Sequence, residues 1–205
     1  MPMSDECAAR SIFAAVPHTA GTGRGVIAIE RDGLAIAHLA ARATQLAQLT
    51  ERFREHFGMV LPDGARRVAA HGVAVAGIAP QRWLLIGEDA GEEFVSGRLA
   101  LLEHYAALVE LSDAYAVLRL RGAQVRASLA KLVPIDLHDT RFRPGDVAQT
   151  VLEHMPVTLW RLEDAPTGEP MIELAVGRSF AVSLYEALRE SATEFGFCFE
   201  PTAKG

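Results

Sequence analysis

The sequence predicts an α+β fold in which antiparallel sheets pack against helices. The supporting observations are apolar runs of strand length, longer segments whose apolar residues recur every three or four positions, and the order in which the two alternate. Each predicted helix is followed by short strands, an order that is more typical of an α+β sandwich than of a doubly wound parallel sheet. The repetition would also suit a domain built from two similar halves.

The first helix is predicted at residues 36–57. Apolar residues recur there from Ile36 to Phe57 at helical spacing, while Arg, Gln and Glu occupy the opposite face. Gly58 follows at the position of a left-handed cap, which ends helices because glycine adopts a positive φ without strain. A β-type run at residues 26–30 precedes this helix and predicts the first strand.

The other elements follow from the same periodicities. Residues 73–78 and 83–86 have the spacing of a hairpin, and Ser179 is placed to cap the last helix by accepting a backbone amide. Further strands are predicted at residues 109–112, 115–120, 149–160 and 172–176. Further helices are predicted at residues 92–108, 123–132 and 179–195.

A single domain is predicted for residues 26–205. Residues 1–25 mix Ala, Pro, Thr and Gly without sustained periodicity, so we expect a flexible N-terminal leader there. The leader contains Gly21, Gly23 and Gly25, but a phosphate-binding loop follows a strand and opens a helix. Here a strand follows the glycines, so nucleotide binding is not predicted.

Composition narrows the class of protein. The 205 residues include 20 Lys and Arg against 26 Asp and Glu, a formal net charge of −6, whereas nucleic-acid binders normally carry a basic excess. No apolar run approaches the ~20 residues of a membrane-spanning helix, and the N-terminus lacks the basic region of a secretory signal. Cys7 and Cys198 form neither a disulfide framework nor a zinc motif. We therefore expect a cytoplasmic protein without a nucleic-acid or membrane partner.

Motifs for catalysis are missing from the sequence. None of the seven histidines belongs to a His-Glu-x-x-His motif, and no serine lies in a Gly-x-Ser-x-Gly elbow. The carboxylates show no motif pairing that would single out a general acid and base. We therefore expect no catalytic, cofactor-binding or metal-binding residue on this chain.

Two features are candidates for contact with a partner chain. One is the polar loop at residues 134–145, and the other is a large aromatic side chain adjacent to an arginine. Both are candidates because arginine and aromatic residues are enriched at protein interfaces. The alternatives are a loop held by its own aspartate and, for the rings, packing in the core. The candidate interface residues are Asp136, His138, Arg141, Phe142, Arg143, Trp160, Arg178 and Phe180.

An ordered series of motifs in roughly the last 130 residues resembles the gamma subunit of heterotetrameric sarcosine oxidase. The series comprises Leu111-Ser-Asp-Ala, Val117-Leu-Arg-Leu, Gly122, Pro134-Ile-Asp-Leu-His, Phe142-Arg-Pro-Gly, Gln149-Thr, Leu159-Trp and Arg178-Ser-Phe. A wider resemblance, to the folate-binding domain of the glycine-cleavage aminomethyltransferase, implies the fold of that domain. Residues 151–160 lack the glycine-rich turn and catalytic aspartate of those transferases.

The resemblance implies a non-catalytic subunit that acts in the assembly and stability of a flavin-dependent complex. Such a complex oxidises sarcosine to glycine and formaldehyde, or methylenetetrahydrofolate when folate is supplied, and reduces oxygen to hydrogen peroxide. The resemblance places FAD, FMN, NAD and zinc on the partner alpha, beta and delta subunits, with no cofactor on this chain. The alternatives are the equivalent subunit of a related enzyme such as N-methylglutamate dehydrogenase, or a stand-alone module for folate binding or aminomethyl transfer.

Overall fold

Two β-sheets stack face to face, with helices on their outer faces, in the computed structural model, which describes residues 11–13, 16, 24–88 and 94–201. The strands are β1 (Val26–Glu30), β2 (Ala35–Ala41), β3 (Arg67–Ala70), β4 (Val73–Ala79), β5 (Arg82–Gly87), β6 (Ala106–Glu110), β7 (Tyr115–Arg121), β8 (Val147–Leu152), β9 (Met155–Arg161), β10 (Met171–Gly177) and β11 (Phe197–Glu200). The α-helices are α1 (Leu46–Phe57), α2 (Val125–Leu129) and α3 (Ala181–Ala192). The α+β class predicted from the sequence is confirmed.

Antiparallel pairing dominates both sheets. The six-stranded sheet has the order β11-β1-β7-β10-β9-β8, and only its β1–β11 pair is parallel. The five-stranded sheet has the order β3-β4-β5-β2-β6 and is antiparallel throughout. The hairpin predicted from residues 73–78 and 83–86 is the pair β4–β5.

Buried apolar residues form three layers. One lies between the six-stranded sheet and helices α2 and α3, and it includes Leu174 and Leu184. Another lies between the five-stranded sheet and α1, and it includes Phe53. The layer between the two sheets contains Ile86 and Trp160. Because side chains alternate along a strand, the central strands contribute to an outer layer and to the inter-sheet layer.

The prediction of a helix over residues 36–57 is wrong in its first part, because residues 36–41 belong to strand β2. Helix α1 begins only at Leu46, although Gly58 ends it with a φ of 67°, as expected for a left-handed cap. Residues 35–37 and Leu39 are all buried. Both faces of this central strand are covered, so its apolar residues do not alternate with polar ones and their spacing resembles that of a helix.

Two other predicted elements are divided differently in the structure. The described part of the helix predicted at 92–108 is a π-helical turn (Phe94–Leu99) and a 3-10 turn (Ala100–Leu102), followed by strand β6. The strand predicted at 149–160 is the hairpin β8–β9, since the chain reverses between these two strands with a positive φ at Glu153.

The cap predicted at Ser179 is also wrong. Ser179 lies inside a 3-10 turn (Arg178–Phe180) that leads into α3. The residue at the N-cap position is Phe180, which makes no side-chain capping hydrogen bond. The preceding 3-10 turn therefore replaces the expected serine cap at the start of this helix.

Part of the segment predicted to be a flexible leader is described, and it packs against the domain. Phe13 is only 1% exposed, and the centre of its ring lies 5.6 Å from that of Phe199. The Ser11 hydroxyl donates a 2.7 Å hydrogen bond to the carboxylate of Glu30. For residues 1–10, 14–15 and 17–23, the leader prediction falls outside the described residues.

Candidate functional site

The loop predicted to contact a partner is held by its own hydrogen bonds. Asp136 accepts a bond of 2.9 Å from the backbone amide of His138. The His138 carbonyl in turn accepts bonds of 2.8 Å from the amides of Arg141 and Phe142. The side chain of Phe142 is buried in the core, while Asp136, His138, Arg141 and Arg143 are exposed. Four of the five candidate residues in this loop therefore present their side chains to the surface.

The end of this loop connects the two sheets. The amide of Arg143 donates a 2.7 Å bond to Asp146, whose carboxylate also pairs with Arg66, just before β3. The amide of Arg67 donates a 2.7 Å bond to the carbonyl of Gly145, and the amide of Val147 bonds Ala65 in the same region at 2.9 Å. These bonds fix the loop against the five-stranded sheet, so its exposed face has a defined shape.

Arg178 and Phe180 lie on the exposed turn before α3. The ring of Phe180 is 39% exposed and borders an open groove of about 650 Å³, which is also lined by Leu111, Tyr115, Gln149, Thr158 and Ala175. Arg178 borders a neighbouring cavity of about 450 Å³. This turn, like the loop at 134–145, could present side chains to another chain.

Trp160 is placed in the core rather than at the surface. It is 0% exposed within the inter-sheet layer, and its indole nitrogen donates a 2.6 Å hydrogen bond to Glu173. The alternative of core packing therefore describes Trp160, and the side chain of Phe142 is also buried. The surface candidates that remain are the exposed loop residues together with Arg178 and Phe180.

A charged cluster between the sheets was not found by sequence reasoning. Glu173 on β10 is 3% exposed and pairs with Arg119 on β7 at 2.7 Å and with Arg31 at 3.2 Å. Arg31 also pairs with Glu88, at the end of β5 in the other sheet, at 3.0 Å. The sequence does contain a signal for this cluster: a charged residue stands between two leucines in Leu118-Arg-Leu and between two apolar residues in Ile172-Glu-Leu. In the sheet these two charged residues, Arg119 and Glu173, are cross-strand partners.

The donor groups of the described residues do not fit a metal site, because no group of three or more His, Cys, Asp or Glu side chains comes together among them. Cys198 is a free, partly buried thiol. In the part of the chain that the structure describes, no helix is long and apolar enough to cross a membrane.

The fold places the chain in a known structural class. It is similar to the glycine cleavage system aminomethyltransferase T from Bartonella henselae, with a TM-score of 0.61, 15% identity and coverage of 86% of this chain and 48% of that chain. It is also similar to a chain of the heterotetrameric sarcosine oxidase from Corynebacterium sp. U-96, solved in complex with pyrrole 2-carboxylate. That match has a TM-score of 0.75 and 26% identity and covers 91% of this chain and 96% of that chain.

The family follows from the sequence match. The sarcosine oxidase, gamma subunit family matches residues 43–194, and the chain belongs to this family. A search of the curated proteins finds no match. The resemblance inferred from the ordered motifs is confirmed, as is the fold related to the aminomethyltransferase.

Proposed function

We propose that this chain is a non-catalytic subunit of a flavin-dependent heterotetrameric sarcosine oxidase and acts in the assembly and stability of the complex. The observation that supports this proposal is membership of the gamma subunit family over residues 43–194. In the proposed cytoplasmic complex, the alpha, beta and delta subunits hold FAD, FMN, NAD and zinc. They oxidise sarcosine to glycine and formaldehyde, or to methylenetetrahydrofolate when folate is supplied, and form hydrogen peroxide.

The proposed contacts with the large subunits include the exposed loop residues Asp136, His138, Arg141 and Arg143 and the turn with Arg178 and Phe180. Phe180 supports this assignment because a large ring that is 39% exposed beside a groove resembles the aromatic anchors of protein interfaces. The loop supports it because its own hydrogen bonds hold it in place, so that little conformational entropy would be lost on binding.

Co-expression tests the proposed function. A tagged form of this chain would be produced together with the alpha, beta and delta subunits of a heterotetrameric sarcosine oxidase. We expect a four-chain complex that oxidises sarcosine and releases hydrogen peroxide, while the isolated chain shows neither flavin absorbance nor sarcosine turnover. Turnover by the isolated chain would contradict the non-catalytic role.

Substitutions on the turn test the proposed contact surface. Phe180→Ala and Arg178→Ala should each weaken association with the large subunits, by about 2 kcal/mol if the residue is a hot spot. Val60→Ala is the control for truncation of an exposed apolar side chain elsewhere, because Val60 is 54% exposed and lies just after α1, on the other sheet's side of the molecule. Equal affinities of Phe180→Ala and Val60→Ala for the large subunits would remove Phe180 from the interface.

Two further assays separate the alternatives. Turnover of the assembled complex with sarcosine and with N-methylglutamate, with oxygen consumption recorded, distinguishes the oxidase from a related dehydrogenase. Calorimetry of the isolated chain with tetrahydrofolate tests the stand-alone folate module. We expect no folate binding, because the likeness to the aminomethyltransferase, at 15% identity, concerns the fold alone.

A further inference from the structure

Arg67 is a partly buried cation near an edge of the five-stranded sheet. It lies on β3, the edge strand of the five-stranded sheet, next to the charged cluster of Arg31, Arg119, Glu88 and Glu173. Its Nε atom is inaccessible to water and has no hydrogen-bond partner. Within the part of the chain that the structure describes, its guanidinium also forms no ion pair, whereas Arg31 and Arg119 both pair with Glu173.

The surroundings of Arg67 carry an excess of positive charge. Three guanidinium groups (Arg31, Arg67 and Arg119) share two carboxylates (Glu88 and Glu173), which leaves one positive charge without a counter-ion in the cluster. Burial lowers the pKa of Arg67, and the nearby arginines add to this effect, while the two carboxylates oppose it. An arginine stays protonated in proteins despite such shifts, so the charge persists and its incomplete solvation is unfavourable.

A small cavity lies beside this unpaired cation. It has a volume of about 180 Å³ and is lined by Arg67, His71 and Glu88 and by the small or apolar residues Ala69, Gly72 and Ala74. The alanines and the glycine leave space for an aliphatic stem, and the planar guanidinium fork matches the geometry of a carboxylate. The position on an edge strand keeps the cavity reachable from outside the sheet.

We propose that this cavity accepts a carboxylate side chain, Asp or Glu, of a partner subunit, with Arg67 as the group that recognises it. The proposal rests on the proposed function, because that function supplies the partner chain. Charge complementarity is its basis: the whole chain has a formal net charge of −6, whereas the cluster around Arg67 holds three guanidinium groups against two carboxylates. This local positive excess directs an acidic group to one position on the surface.

The test compares Arg67→Gln with Arg52→Gln in the assembled complex. Arg52 is the matched control because it undergoes the same change on α1, where its side chain is 54% exposed and pairs with Glu55. We expect Arg67→Gln to raise the dissociation constant for the large subunits at least ~tenfold, and Arg52→Gln to leave it unchanged. Arg67→Lys, which keeps the charge but loses the fork, should give an intermediate value.

Thermal unfolding of the isolated chain separates an interface role from a structural one. Because Arg67 lacks a counter-ion within the described chain, the Tm of the Arg67→Gln chain should equal or exceed that of the wild type. A Tm several degrees lower in both Arg67→Gln and Arg67→Met, which keeps the aliphatic stem without the charge, would overturn the proposal, since it would show that the charge of Arg67 has a stabilising partner in its own chain. Dissociation constants that are equal for Arg67→Gln and wild type would overturn it as well.

The same measurements distinguish the partner carboxylate from a free anion. Acetate and inorganic phosphate are added to the isolated chain, because a ligand that binds only the folded state raises the Tm. If either raises the Tm of the wild type but not of Arg67→Gln, and assembly is unaffected by the substitution, the site takes a free anion and the proposal is overturned. If the wild-type chain does not assemble with the large subunits at all, the proposed function fails together with this inference.

Discussion

The outer layers of this protein and the layer between its sheets are stabilised differently. Beneath α3, the outer face of β10 contributes Ile172, Leu174 and Val176 to a cluster of apolar side chains. On the other face of the same strand, Glu173 lies between the sheets with Arg119. Apolar area therefore holds the helices to the sheets, while ion pairs and a tryptophan hydrogen bond contribute to the contact between the sheets.

The ion pairs between the sheets also join parts of the chain that belong to different sheets. Arg31 follows β1 of the six-stranded sheet, and it pairs both with Glu173 of that sheet and with Glu88 at the end of β5 in the other sheet. A burial-based contact has no preferred direction, whereas an ion pair with several hydrogen bonds requires one relative position of its members. The charged cluster is thus suited to define how one sheet is placed on the other.

Trp160→Ala should lower the free energy of unfolding more than any of the other substitutions below. Trp160→Ala deletes a fully buried ring from the inter-sheet layer and leaves Glu173 without its 2.6 Å hydrogen bond, so we expect a loss of about 4 kcal/mol in the free energy of unfolding. Urea unfolding measures this loss. Trp160→Phe, which keeps most of the apolar volume, should be much milder. A near-neutral Trp160→Ala would show that the sheets do not depend on this residue.

The outer layer is tested on the neighbouring strand. Leu174 on β10 is 0% exposed, and Leu174→Ala should lower the free energy of unfolding by about 3 kcal/mol through lost burial and the remaining cavity. The loss should be nearly the same at low and high salt, because no charge is involved. A strong salt dependence in urea unfolding would contradict a purely apolar origin of this layer's stability.

Glu173→Gln probes the charge of the inter-sheet layer with little change in volume. Arg31 and Arg119 would lose a shared counter-ion, but their side chains are 22% and 25% exposed, so water would partly solvate them. We therefore expect a loss of about 2 kcal/mol, below the range for fully buried pairs. Glu55→Gln, which breaks an exposed pair with Arg52, is the control and should change the stability by less than about 1 kcal/mol. If the two variants were equally stable, the buried cluster would contribute no more than a surface pair.

The α+β class could be predicted because several elements show clear local periodicities. In α1 the buried residues Leu49, Phe53 and Phe57 are four positions apart, and the hairpin β4–β5 consists of short apolar runs around a turn. Strand β2 was missed because it is central in a sheet covered on both sides. Its buried residues are nearly contiguous, so no alternation of apolar and polar residues marks it as a strand.

The charged cluster could not be predicted from local motifs, because its members are far apart in sequence. Arg119 and Glu173 are opposite each other only through the register of β7 and β10. Arg67 joins them from the other sheet, and its place depends on how the sheets stack. The loop at 134–145, by contrast, can be predicted as polar and turn-rich, since proline, aspartate and glycine mark such loops locally.

The smallest expected effect on stability is the pH dependence contributed by His38, a titratable residue on β2. Two residues before it on the same face of the strand, Ile36 belongs to the inter-sheet layer. Burial lowers the pKa of His38, and the positive charge of Arg82 on the neighbouring strand lowers it further. The unfolded chain therefore binds a proton at His38 more readily than the folded one does, and stability contributed by the neutral form is lost as the pH falls below about 6.5.

Urea unfolding between pH 7.5 and 5 would measure this effect, with the His38 pKa followed by NMR. We expect His38→Gln to reduce the loss of stability on acidification, because the substituted residue takes up no proton. Arg82→Gln should raise the pKa of His38 towards its ordinary value and reduce the loss only in part, since burial is the larger cause. If the acid-induced loss were the same in wild type and His38→Gln, protonation of His38 would have no part in it.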